Sequence, residues 1–83
     1  MKYTLLWKKS AEDRLFEIWL DSGHRNAVTA ATNEIDRLLQ RDPELKGESR
    51  AGNQRVLIVP PLSVVLEVSA DDRIVTILSV QEI

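Results

Sequence analysis

Apolar and polar positions repeat with two different periods along this chain. Between Lys2 and Lys8, Tyr3, Leu5 and Trp7 share one parity and Thr4 and Leu6 the other, which predicts an initial strand. From Ala11 the period lengthens, and Ala11, Leu15, Ile18 and Trp19 fall on one helical stripe. Ser10 is the expected N-cap, with Glu12 and Asp13 placed to favour the positive end of the helix. Asp21-Ser22-Gly23-His24 reads as a turn, Gly23 marking the stop. A second stripe, Val28, Ala31, Ile35 and Leu38, predicts a helix from about Arg25 to Arg41. Ala27, Ala30 and Ala31 would let the helices approach closely, and the short connection makes an antiparallel hairpin. Pro43 disfavours helical backbone at Asp42 and ends the second helix near there.

Residues 43–54 are a polar connection containing Gly47, Glu48, Arg50, Gly52 and Asn53. Loops this long in a small domain are often functional. Three strand-like runs follow in quick succession: RVLIV, LSVVLEV and RIVTILSV, separated by Pro60-Pro61 and Ser69-Ala70-Asp71-Asp72. Their tight connections favour antiparallel neighbours. The expected order is β-α-α-β-β-β, in one α+β domain spanning residues 1–83.

The faces of these strands carry a functional argument. Leu62, Val64, Leu66 and Val68 share one face of the middle run, and Ser63, Val65 and Glu67 the other. Leu57 and Val59 oppose Val56 and Ile58, while Ile74, Leu78 and Val80 oppose Val75 and Ile77. The sequence leaves the register across Ser69–Arg73 open, but either choice puts aliphatic residues on both faces. A helical hairpin covers one face. The other needs curvature and a lid from the 43–54 loop, a second copy, or another protein. Leu57, Val59, Val65, Val75 and Ile77 are the candidate partner-binding residues.

Composition narrows the classes. A chain of 83 residues buries only about 60–65% of its unfolded surface, so both helices and all strands must share one core. With 43% hydrophobic and 29% charged residues the chain reads as a folded globule. Eleven basic and thirteen acidic residues give a net charge of −2, so no global field advertises nucleic acid. There is no cysteine, hence no disulfide, thiol chemistry or thiolate metal site. The start is too short and too soon charged for a signal segment, and no apolar run approaches the roughly 20 residues of a membrane span. The expected location is the cytoplasm, with no membrane partner.

Most catalytic constellations are missing. His24 is the single histidine and reads as a solvated turn residue. Gly47 and Gly52 lack the setting and spacing of a phosphate loop, and no acidic or histidine cluster has metal-ligand spacing. Ser49, Ser63 and Ser79 have no visible base. No cofactor or metal is expected. Lys46, Arg50 and Arg55 remain as candidate catalytic residues, since guanidinium groups clamp phosphates and stabilise charge in phosphoryl transfer. The competing reading pairs Arg55 with a carboxylate such as Glu48 or Glu67. Trp19 and Trp7 read as core or half-buried, and the three late strands hold no aromatic residue on which RNA bases could stack.

The order and spacing of several residues resemble the RelE/ParE superfamily, the toxin halves of bacterial type II toxin–antitoxin modules, often labelled plasmid stabilisation proteins. The resemblance runs through Trp7 and Ala11, Leu15, Ile18 and Trp19, then Ile35, Asp36 and Leu38, Pro43 and Gly47. It ends on Arg55-Val56-Leu57, Pro61 and Ile77-Leu78-Ser79-Val80, and so covers nearly the whole chain. It implies a helical hairpin packed on one face of a small, mostly antiparallel sheet, and an antitoxin that wraps and inhibits the chain.

It also implies either metal-independent, ribosome-dependent mRNA cleavage or poisoning of DNA gyrase. Arg55 matches a frequent arginine of the family. Ser63 and Leu66 stand where the family often has arginine and tyrosine, and Gln81-Glu82-Ile83 replaces its usual basic or histidine-bearing end. These departures favour a toxin that acts by protein contact and inhibits growth. A nuclease using Arg55, Arg50 and Lys46 and a non-toxic binding module or homodimer are the alternatives.

Overall fold

The computed structural model describes residues 2–83. The chain forms β1 (Thr4–Trp7), α1 (Lys9–Asp21), α2 (Arg25–Leu39), a 3-10 turn (Pro43–Leu45), β2 (Glu48–Ser49), β3 (Gln54–Val59), β4 (Leu62–Ser69) and β5 (Ile74–Glu82). The five strands make one sheet in the order β1-β5-β4-β3-β2. β1 runs parallel to β5, and every other pairing is antiparallel. The parallel pair follows from the connection, because the helical hairpin carries the chain across the sheet before β3, β4 and β5 return by tight turns. The fold class expected from sequence is the one observed, with β2 added inside the polar connection.

The α1 start differs from expectation. The helix begins at Lys9 with Lys8 in the cap position and no side-chain cap, so Ser10 lies in the first turn. The reason is tertiary: the Lys8 amide donates to the Ile77 carbonyl at 2.9 Å, while the Lys8 carbonyl accepts from Glu12 N–H at 2.9 Å. The exit from β1 fixes where the helix starts. At the other end Arg25 takes the capping role, its Nε donating to the Trp19 carbonyl (3.1 Å) and a second guanidinium nitrogen to that of Leu20 (2.9 Å). The same guanidinium lies 4.7 Å from the centroid of the Trp19 ring.

The core lies between the hairpin and one face of the sheet. Ala11 and Ile18 of α1 and Val28, Ala31, Ile35 and Leu39 of α2 pack against Leu57, Leu62, Val64, Leu66, Val68, Val75, Ile77 and Val80. The register that sequence left open pairs Ser69 with Ile74 and Leu66 with Ile77. Val65 then pairs with Ser79, so Leu78 is an extra residue in a β-bulge. The bulge reverses the parity of β5, and Val80 joins Val75 and Ile77 in the core instead of opposing them.

The placement corrects part of the expected partner surface. Leu57, Val75 and Ile77 are buried beneath the helices, and Val59 packs against the same core. Val65 alone among those five lies on the uncovered face. The 43–54 connection is not its lid, because β2 extends the sheet edge beside β3. Leu6 and Ile58 on that face stay 48% and 57% exposed.

Candidate functional site

Towards the β2 edge of the sheet, Arg55 is the second residue of β3, and its backbone is paired on both sides, to Ser49 and to Leu66. This rigid setting fixes its guanidinium. Arg55 Nε donates to the Lys46 carbonyl at 2.7 Å, and a terminal nitrogen donates to the Gly47 carbonyl at 3.1 Å. Its partners are therefore main-chain oxygens, not the carboxylates of Glu48 or Glu67. The turn it grips is tightly seated. Gly47 has φ +67°, and a Cβ there would stand 2.1 Å from the Val56 carbonyl oxygen.

The three basic candidates do not converge. A cleft of about 390 Å³ is lined by Arg55 together with Glu44, Ser49, Asn53, Gln54, Ser69 and Asp71, but not by Lys46 or Arg50. Arg50 is held by Glu48 at 3.1 Å, an exposed pair. The single cation on the cleft wall thus faces two carboxylates, which oppose an anionic phosphate.

Two groups that sequence reasoning passed over bear on acid–base chemistry. The hydroxyl of Tyr3 donates to Glu44 Oε1 at 2.9 Å, across 41 residues. That hydrogen bond, with burial and the negative charge of Glu44, raises the phenol above its usual value and so favours its protonated form. Asp36, half-buried on α2, is raised chiefly by desolvation, offset in part by a hydrogen bond from the Trp7 side chain. Both contacts join residues distant in sequence, so periodicity could not find them. Among the described residues no group of three or more His, Cys, Asp or Glu is placed to hold a metal ion. Among the described residues no helix is long and apolar enough to cross a membrane.

The two departures noted at Ser63 and Leu66 lie on opposite faces. Leu66 is 0% exposed on the covered face, and Ser63 pairs with Ile58 and Gln81 on the other. A side chain at position 66 therefore reaches core, not substrate.

A second concavity lies on the outside of the hairpin. It has a volume of about 310 Å³ and is lined by Leu15, Phe16, Trp19 and Val28, with Glu12, Thr29, Thr32 and Asn33 at its polar margin. Phe16 is 60% exposed beside it.

No protein-family model matches the chain, and no curated protein matches it by sequence. Solved structures match it along its length. A chain of the toxin–antitoxin complex RelBE2 from Mycobacterium tuberculosis superposes with a TM-score of 0.77 at 17% identity, covering 100% of this chain and 93% of that one. A mutant of the E. coli toxin RelE in the free state gives 0.75 at 16% identity, covering 99% and 84%. A chain of the chromosomal ParDE system of P. aeruginosa gives 0.63 at 17% identity, covering 99% and 97%. With identities this low the likeness is one of architecture: the chain has the RelE/ParE toxin fold.

Proposed function

We propose that this chain is the toxin of a toxin–antitoxin pair, acting in the cytoplasm to arrest growth by contact with a protein target and neutralised by a cognate antitoxin. The observation that carries the reading is the agreement with RelE and RelBE2 over 99% and 100% of the chain. The RelBE2 and ParDE structures each join a toxin with its antitoxin. The apolar groove on the helical hairpin is the surface we assign to that antitoxin. Both lining helices satisfy their own backbone hydrogen bonds, so an occupant gains no strand pairing and must bring its own. An amphipathic helix, laying apolar side chains against Leu15, Phe16 and Trp19, fits that requirement.

Protein contact is favoured over RNA cleavage by the state of Arg55, which spends its Nε and one terminal nitrogen on the Lys46 and Gly47 carbonyls. The acidic cleft wall and the engagement of the Tyr3 hydroxyl with Glu44 argue in the same direction. Gyrase is the protein target that fits this reading, and stabilisation of a plasmid carrying the pair is its expected biological consequence.

The test is tightly controlled induction in several bacterial hosts, with the folded state of the purified chain checked by circular dichroism. Growth arrest is expected, with supercoiling by purified gyrase inhibited and no new 2′,3′-cyclic phosphate ends in cellular RNA. Such ends would replace protein contact with the endoribonuclease reading. A folded chain that slows growth in none of the hosts overturns the toxin reading.

A further inference from the structure

We infer that the uncovered face of the sheet is the contact surface of a reversible homodimer. The two helices lie on one side only, and the opposite side presents Leu6, Val56, Ile58, Val65 and Ile74 across four strands. Val65 occupies the centre, on the middle strand, between Val56 and Ser79. Leu6 and Ile58 are 48% and 57% exposed on opposite sides of it. These residues form a band rather than isolated positions.

The charge of this face selects its occupant. Between the aliphatic residues stand Thr4, Ser63, Thr76, Ser79 and Gln81, and the strands place no lysine or arginine there. Glu67 and Glu48 are the charged strand residues on the face, and Glu48, at its β2 edge, is paired with Arg50 at 3.1 Å. In a chain with 29% charged residues so neutral a surface offers nothing to a polyanion, and it has no basic or aromatic belt for a lipid surface. It is compatible with itself. An identical face brings hydroxyls and amides that both donate and accept, and its like-charge repulsion is confined to Glu67, since Glu48 is paired with Arg50. Two copies stacked this way make a four-layer arrangement, helices outside and two sheets about 10 Å apart inside.

Size sets the strength. Each strand residue occupies roughly 16 Å² of sheet, so the strands offer about 460 Å² per face. Two copies bury roughly 900 Å², below the range of stable complexes and within that of transient ones. The dimer is therefore concentration-dependent, in the micromolar range or weaker.

This inference rests on the sheet face and not on the toxin reading: a chain that fails to arrest growth still self-associates, and a monomeric chain can still be toxic. The experiment is sedimentation equilibrium of the intact chain from micromolar concentration to about 1 mM. The expected result is a weight-average mass rising from 9.4 kDa towards twice that value. Ile58→Glu and Val65→Glu are expected to hold the mass at one chain, while Leu45→Glu, on the most exposed aliphatic residue outside the face, leaves association intact. Circular dichroism checks each variant. If Val65→Glu unfolds, Ile58→Glu decides, because its side chain is already largely in water. A wild-type chain that stays monomeric throughout, or association that survives both face substitutions, overturns the inference. Loss of antitoxin binding by the face variants of a monomeric chain would assign the face to that partner instead.

Discussion

Arg55 and Gly47 are joined side chain to main chain: the guanidinium donates to the Gly47 carbonyl at 3.1 Å while its Nε donates to the Lys46 carbonyl at 2.7 Å. The arginine that sequence marks as a phosphate clamp is thus a latch on the turn that leads into β2. Two satisfied carbonyls and a close backbone crossing explain why both residues stand where they do. They also mean that losing Arg55 disturbs structure before it disturbs chemistry.

Arg55→Lys tests this directly. Lysine keeps the charge but lacks the planar fork, so one or both bonds are lost. The expected cost is about 1–2 kcal/mol in urea denaturation, with faster amide exchange around residues 46–48. Unchanged stability together with lost growth arrest would instead return Arg55 to a direct role at the target.

Gly47→Ala should destabilise far more than Gly52→Ala. Both glycines have positive φ, +67° and +65°, but only at Gly47 does an added Cβ meet the backbone of Val56 and Leu57. Roughly 1 kcal/mol is expected at Gly52 from conformation alone, and at least about 2 kcal/mol at Gly47. Equal midpoints in denaturant for the two variants would contradict the tight crossing.

Asp36 gives a pH dependence with a defined sign. Its folded-state pKa is raised by desolvation, so its contribution to stability is greatest below the unfolded value of about 3.9. That contribution falls as pH rises through the folded value. Asp36→Asn keeps an acceptor for the Trp7 side chain and removes the charge. Its melting temperature, compared with wild type, is expected to gain ground as pH rises across this window and then level off. A gain that shrinks with rising pH would show the carboxylate to be net stabilising.

Leu66→Tyr supplies the residue type that the RelE/ParE resemblance leads one to expect, but at a site with no exposure. Overpacking should cost about 1–3 kcal/mol, and no RNA cleavage should appear. Cleavage by this variant would show that position 66 reaches substrate.

Much of the architecture was legible because it depends on local periodicity. The stripe Val28, Ala31, Ile35 fixed a helix and its buried side, and all three are at most 3% exposed. The alternation Leu62, Val64, Leu66, Val68 likewise fixed the covered face of β4. Ser10 misled because a cap depends on where the preceding strand leaves the sheet, and the Lys8–Ile77 hydrogen bond sets that point. Leu57, Val75 and Ile77 were legible as apolar strand residues but not as core. Burial depends on which face the helices choose, and parity alone does not say.

What sequence determined by itself is therefore the set of elements, their order and the two-faced character of the strands, since each follows from side-chain spacing along one segment. Tertiary structure decided the rest. It set the parallel docking of β1 on β5, the bulge at Leu78 that returns Val80 to the core, and the commitment of Arg55 to backbone carbonyls. Each of these is a contact between segments distant in the chain, and its geometry exists only once the sheet has closed its register.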